Sequence, residues 1–299
     1  MERTVRYALI DLQNRTTGLK EVQAGWFGTW GLLLEELGFW WRLDPSAVAL
    51  TTGPLTGCGA PGTGAMTWSY LKNGRVQNLT GEGRLGAALR YAGVDALLFY
   101  GRSDAPLWLE VEDGKLSLRE GKPSYTTLAA GKPSEDTVVV TFRPRGAVED
   151  KYFPLSDGAL SRRLLEKGIS ALTVDTAGGL AVADSQRLAA LCVDLYHWAA
   201  QNGPAAGSRQ QPARFLSLDH TVGFESPATY LNPARSPEEQ LFAALGILWS
   251  PRLEGRSRRA DTAALLEACL GIPCTEGDLD ALEAHLAQLR QRNLEGGDQ

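Results

Sequence analysis

The sequence predicts an α+β fold: a β-rich amino-terminal part followed by a small helical carboxy-terminal region. Three observations carry this. Val94–Gly101 (VDALLFYG) and Thr137–Phe142 (TVVVTF) are short apolar runs of the kind that form buried strands. Asp113-Gly114 between two apolar runs is a hairpin signal. Helical periodicity and capping signals concentrate after Ala183. We therefore expect a β-rich domain over 1–202, an irregular linker over 203–235, and a helical region over 236–299.

In order, Tyr7–Leu12 reads as a strand, Asn14–Gly18 as a turn and Leu19 onward as a second strand, an opening hairpin. Gly25–Gly38 fits a helix closed by Gly38. Trp26, Phe27, Trp30, Phe39, Trp40 and Trp41 form an aromatic cluster, expected as core filling or as a hydrophobic plug. Ala47–Thr52 is a strand leading into the most informative stretch, Thr52–Gly93. Gly53, Gly57, Gly59, Gly62 and Gly64, with Pro54 and Pro61 between them, describe a stiff, sharply turned loop. Such loops can cradle an anion, although glycine clusters ordinarily mark turns. The GxxxxGK[ST] pattern of a P-loop is absent. Met66–Lys72 reads as a strand. The rest of the stretch reads as a loop feeding a helix, whose small residues around Gly86 suit close packing on a sheet.

Leu107–Val111 and Leu116–Leu118 flank the Asp113-Gly114 turn. Ser156–Lys167 is expected as a helix, Ile169–Val174 as a strand and Ala183–Asn202 as an amphipathic helix capped by Asp184 or Ser185. Ser236-Pro-Glu-Glu starts a helix running to about Leu248. Asp261–Leu270 and the segment after Thr275 complete the helices.

The 299 residues carry 43% hydrophobic and 22% charged side chains, ordinary for a globular protein. The net charge of -5 gives no basic surface for nucleic acid. No apolar run reaches the ~18 residues of a membrane span, and MERTVRYALIDL lacks the apolar core of a signal peptide. A cytoplasmic protein is expected. Cys58, Cys192, Cys269 and Cys274 have no CxxC spacing and read as free thiols, and the close pair in CLGIPC lacks further ligands for a metal. His197, His220 and His285 are scattered, so no catalytic triad is indicated.

GPLTGCGAPGTG followed by GRLGAALRYAGVDALLFYGRSDAPLWL resembles the amino-terminal domain of the tungsten-dependent aldehyde:ferredoxin oxidoreductase family. There, GPLTGTGAP and FGAELKFAGYD segments help form the platform under a tungsten bis-pterin cofactor. IDLQNRTTGLKEV resembles that family's opening DLTTGKV turn, and ALLEACLGIPCTEGDLDALEAHLAQLRQRN its final helices. The resemblance covers about the first 200 residues and the last sixty. It implies, as sites inherited from the platform, cofactor-binding positions at Gly57, Gly59, Gly62, Gly64, Asn78, Thr80 and Gly83. The family oxidises aldehydes to carboxylic acids at tungsten and passes electrons through a [4Fe–4S] cluster to ferredoxin.

This sequence departs from the family where the chemistry lies. The CxxCxxxC run has no counterpart, and Leu248 stands where the fourth cluster cysteine would be. A cluster needs thiolates, usually four, so none is expected. Ala65 replaces an arginine that follows GAPGSG in the family, and Thr29 and Trp30 stand near its GGRG arginine. Neither replacement supplies a charged fork of donors for phosphate. Ser161, Arg162, Arg163 and Glu166 fill a segment that is glycine-rich in the family. The DxxGL-type pterin loops are absent. Lys72, Arg75 and Arg84 remain as ordinary solvated charge.

The expectation is a degenerate homologue, a pseudoenzyme with no catalytic residues and no metal, acting as a non-catalytic or partner subunit without tungstopterin or molybdopterin. The alternative is an oxidoreductase subunit that binds a pterin or other phosphate-bearing ligand on the retained loop and is completed by another chain. Partners in view are a second copy or a full-length oxidoreductase, with neither nucleic acid nor membrane involved.

Overall fold

Short strands, several of them continuously buried, build two six-stranded sheets with the same internal order. The computed structural model describes residues 3–24, 38–132, 136–144, 146–149, 153–155, 158–202, 236–248, 253 and 255–295. The first sheet contains β1 (Arg3–Asp11), β2 (Thr16–Ala24), β3 (Val48–Thr52), β4 (Ala65–Lys72), β5 (Arg75–Glu82) and β6 (Ala96–Tyr100), in the order β2-β1-β6-β3-β4-β5. The second contains β7 (Leu107–Glu112), β8 (Lys115–Glu120), β9 (Val138–Arg143), β10 (Gly146–Glu149), β11 (Phe153–Leu155) and β12 (Ile169–Asp175), in the order β8-β7-β12-β9-β10-β11. Each half opens with a hairpin whose first strand pairs in parallel with the half's last strand, β1 with β6 and β7 with β12. The other pairings are antiparallel. The halves differ where β3 joins β4: that connection runs through residues 53–64, whereas β9 reaches β10 across residues 144–145.

Helix α1 (Arg84–Tyr91) precedes β6 and α3 (Gly158–Glu166) precedes β12, while the short α2 (Tyr125–Ala130) precedes β9. The sheets face each other across one cluster that joins Ile10, Leu50, Trp68 and Phe99 to Leu109, Val140, Leu172 and Val174. Trp68 and Phe142 meet edge to face across it, with centroids 6.2 Å apart. Leu85 and Leu89 of α1 and Leu160 and Leu164 of α3 fill the same space. Gly86 allows α1 its close approach: a Cβ there would lie 3.1 Å from Thr56 and 3.2 Å from Met66. The small-residue packing expected for this helix is what the structure has.

The remaining helices are α4 (Ser185–Asn202), α5 (Pro237–Leu245), α6 (Arg258–Leu270) and α7 (Glu276–Glu295). Their starts follow the sequence signals. Asp184 accepts from the Arg187 amide at 2.9 Å. Ser236 and Glu239 form a reciprocal capping box, and the Thr275 hydroxyl accepts from the Asp278 amide. These helices pack in a second cluster, into which Leu55, Cys58 and Ala60 of the 53–64 loop also project.

Several expectations are corrected. Residues 73–82 are not all loop: Arg75–Glu82 is strand β5, paired with β4 through an Asn73-Gly74 turn with positive φ at both residues. That is the hairpin turn geometry such a pair favours. Helix α5 ends at Leu245 rather than Leu248, because Gly246 takes a left-handed conformation (φ 89°). Helix α6 begins at Arg258, capped by Ser257. The expected helix over Gly25–Gly38 lies outside the described residues apart from Gly38, and residues 38–43 are helical. The linker over 203–235 and the tryptophans at 26 and 30 also lie outside them.

Candidate functional site

The β3–β4 loop closes on itself before it meets any other group. The Gly57 amide donates to Thr63 O at 2.6 Å, the Cys58 amide to Leu55 O at 3.0 Å and the Thr56 amide to Gly53 O at 3.1 Å. The Gly53 amide donates to the Thr56 hydroxyl, which donates on to Ala65 O at 2.7 Å. Positive φ at Gly57, Gly59 and Gly62 makes these turns affordable for glycine alone.

Helix α1 holds the loop from below. Arg90 donates to Gly53 O at 2.7 Å, and the Tyr91 hydroxyl donates to Gly57 O at 2.6 Å. Arg90 pairs with Asp95 at 3.5 Å, with side chains 5% and 9% exposed. The Asp95 carboxylate also accepts from the Arg6 amide at 3.0 Å, tying the loop to β1. Burial pushes the Tyr91 phenol above its usual value.

The carboxy-terminal helices hold it from above. The Leu55 amide donates to Leu245 O at 2.9 Å, and the Leu248 amide donates to Gly62 O at 2.8 Å. Gly53 lies directly against the Leu245–Gly246 peptide, and a Cβ at Gly246 would collide with Thr56. Residues 53–58 and 60–64 are buried, with Gly59 intermediate.

The residues expected to bind a cofactor are therefore split. Gly57, Gly59 and Gly62 lie in the loop. Gly64 and Gly83 meet where the β4–β5 hairpin begins, the Gly83 amide donating to Gly64 O at 3.3 Å. Asn78 and Thr80 lie along β5, on the face turned away from the inter-sheet core. Thr80 and Thr67 hydroxyls lie 2.9 Å apart, and Ser69 donates to Asn78 Oδ1 at 2.8 Å. Asn78 pairs with Ser69, which stands roughly 17 Å along the strand from Gly64 at the usual rise. Asn78 is 5% exposed and its Nδ2 has no hydrogen-bond partner among the described residues.

Other candidate positions resolve as structural. Trp41 donates to Ala47 O at 3.2 Å, and Trp40 stacks on Tyr100 with centroids 4.4 Å apart, both on the outer face of the first sheet. The loop is thus packed by Leu245–Leu248, while the described tryptophans of the cluster pack elsewhere. In α3, Ser161 donates to Arg143 O and Arg163 lies over the Tyr70 ring. Arg84 is half-buried and lies 3.9 Å from Asp136, whereas Lys72 is exposed as expected. Among the described residues no group of three or more metal-ligating side chains is gathered.

Sequence reasoning missed the Arg90–Asp95 pair, the Gly53–Gly246 contact and the burial of Cys58 and Cys269 in one cluster. For the first, an arginine at the next-to-last position of α1, after the small apolar run Leu85–Leu89, was the available signal. The other two join residues more than 190 positions apart in sequence, as their numbers state, and had none.

Two facing sheets of matched order, with a glycine-rich loop buried at the end of one, define an α+β platform. The chain belongs to the family of the aldehyde ferredoxin oxidoreductase N-terminal domain, whose model matches residues 7–206. The tungsten-containing aldehyde ferredoxin oxidoreductase of Pyrococcus furiosus is 25% identical over 215 residues, covering 63% of this chain and 35% of the relative. That of Pyrococcus abyssi is 31% identical over 122 residues, covering 37% and 20%. The chain thus spans about a third or less of the length of these relatives. Among solved structures, the active site complex BamBC of benzoyl coenzyme A reductase, bound to 1,5-dienoyl-CoA, matches with a TM-score of 0.55. It is 18% identical and aligns over 70% of this chain and 36% of that one, a likeness of fold.

Proposed function

We propose that this oxidoreductase-family chain serves as a non-catalytic or partner subunit that has kept the platform and relinquished its cofactors. The observation that carries this reading is the occupation of the glycine loop by the chain's own residues Leu245–Leu248. The amides of Gly53, Leu55, Thr56, Gly57, Cys58 and Thr63 bond within the loop or to Leu245 rather than facing an anion. Ala65, fully buried, offers no charge for a phosphate. The residues present therefore fit a phosphate-bearing cofactor poorly at Gly57, whose amide is satisfied by Thr63, and beside Ala65. The lack of a CxxCxxxC run, with Leu248 where the fourth cluster cysteine would stand, supports reading the chain as one without an iron–sulfur cluster. In this proposal residues 1–202 form the platform, 236–299 the helices that seal its loop, and 203–235 their connection, in a cytoplasmic protein.

Metal analysis of the natively purified protein tests the reading. Tungsten, molybdenum and iron at trace level are expected, and near-stoichiometric tungsten or molybdenum would overturn it.

A second reading rests on Asn78. A buried amide donor without a partner is costly unless something accepts from it. Together with the short span of the chain, it favours an oxidoreductase subunit that holds a ligand at Asn78 and Thr80 and is completed by another chain. Co-purification with a protein carrying a CxxCxxxC run would favour this reading, and a stable lone monomer or homo-oligomer would count against it. No helix among the described residues is long and apolar enough to cross a membrane.

A further inference from the structure

We propose that the outward groove of helix α4 is the docking face for a second copy of this chain, set antiparallel across a two-fold axis. Ala190, Val193, Asp194, His197, Trp198 and Gln201 line this open groove of about 660 Å³. The helix turns Leu188, Leu195 and Ala199 into the second core cluster and presents the groove on its other side. Val193 is 62% exposed, one of three exposed large apolar side chains among the described residues. The inference is independent of whether the glycine loop holds a ligand.

The groove complements itself in shape and in charge. Its amino-terminal half is small, with Ala190 and Val193, and its carboxy-terminal half is large, with Trp198 and Gln201. Its middle holds an acid, Asp194, and an imidazole, His197, one turn apart on the same face. A two-fold axis crossing α4 between Leu195 and Tyr196 sets Val193 against Trp198 of the second copy, Ala190 against its Gln201 and Asp194 against its His197. Each contact occurs twice, because a two-fold interface is isologous. Small side chains then meet large ones, and each carboxylate meets an imidazole. The Asp194 side chain is 60% exposed, so it can accept from that imidazole while keeping Arg256. A parallel pair would instead set Asp194 against Asp194 and Trp198 against Trp198, repelling at one turn and clashing at the next.

Arg256 prepares the face. It reaches Asp194 at 2.7 Å and lies over the Trp198 ring at 5.5 Å. Both side chains are thus held before a partner arrives, and less freedom is lost on docking. Ala190 to Gln201 spans roughly 16 Å at the helical rise. Such a short helix pair buries less than the ~1,600 Å² of a standard interface, so the dimer should be weak.

Sedimentation equilibrium of the full-length protein over roughly 10 to 500 µM is the test. The mass should rise from one chain toward two and stop there, since a two-fold contact closes. Val193→Glu sets a carboxylate against Trp198 of the second copy and should weaken association roughly tenfold or more. His197→Asp sets acid against acid and should do the same. Both side chains are exposed, and an unchanged thermal midpoint in dilute solution checks that each variant folds. Should one fail to fold, the other carries the test. Lys115→Glu, exposed and outside the groove, should leave association unchanged. A monomer at every concentration would leave the groove to some other partner and overturn the proposal. Dimers that survive both groove substitutions, or masses beyond two chains, would overturn it as well.

Discussion

The Leu248 amide donates to the Gly62 carbonyl at 2.8 Å, so the residue that stands where the resembling family has a cluster cysteine is a clamp on the glycine loop. The contact depends on Gly246, whose left-handed conformation ends α5 and turns the chain onto Thr56. It also depends on Gly53, which lies against the Leu245–Gly246 peptide.

Gly53→Ala and Gly246→Ala should each be strongly destabilising, by about 3 kcal/mol or more, since each added Cβ meets backbone in a packed interior. Gly59→Ala has open space around its Cβ and should cost only about 1 kcal/mol, from its positive φ. Urea unfolding of the three variants measures the order.

Arg90→Met should cost about 3 to 5 kcal/mol, because it leaves Asp95 buried and uncompensated and removes the donor to Gly53 O. The double variant Arg90→Met/Asp95→Asn should recover part of this loss. Equal loss in the single and double variants, read from chemical denaturation, would contradict the pairing.

Asp44 and Lys167 predict a pH dependence. Lys167 donates to Asp44 at 3.1 Å, Ser46 at 2.8 Å and Gly101 O at 2.7 Å, joining the α3–β12 turn to the first sheet. Burial alone would raise the Asp44 carboxyl. Hydrogen bonds from Ser46 and the Gly101 amide, with the Lys167 charge, outweigh it and hold the group below its ordinary 3.8. Because the folded value is the lower one, this stability is present above 3.8 and lost as pH falls through the folded value. Asp44→Asn should lower stability by about 2 kcal/mol at neutral pH and flatten the acid limb of a stability–pH profile. Burial likewise pushes the Lys167 ammonium below 10.5, so its contribution makes stability rise with pH as the medium approaches that value.

Arg256 should not tolerate lysine. It donates twice to Asp261, each at 2.7 Å, reaches Asp194 at 2.7 Å and lies over the Trp198 ring at 5.5 Å. A single ammonium cannot reproduce a planar fork and a stacked face. Both Arg256→Lys and Arg256→Ala should destabilise by about 2 kcal/mol, and thermal unfolding should find lysine rescuing less than half of the alanine loss.

Local signals made much of the fold legible. The Asp113-Gly114 turn, the Ser236 capping box and the apolar run of β6 each lie within a few residues, and each appears as read. Strand β5 was not legible, because RVQNLTGE is polar on the face that Asn78 and Thr80 share, and its burial comes from packing that alternation does not reveal. The expected site was legible only as a set of glycines. Whether the loop amides faced a ligand or the chain itself depended on partners such as Thr63, which accepts from Gly57, and Leu245, which accepts from Leu55.

By itself, the sequence determined the α+β class, the helix starts at Ser236 and Thr275, and the family to which the platform belongs. These depend on backbone preferences and short-range hydrogen bonds. Tertiary structure alone decided that Gly53 would meet Gly246 and that Arg90 would meet Asp95 beneath the loop. Glycine is permissive enough to form a cradle or a packing joint. Which one it forms is set by what the rest of the chain brings within van der Waals contact.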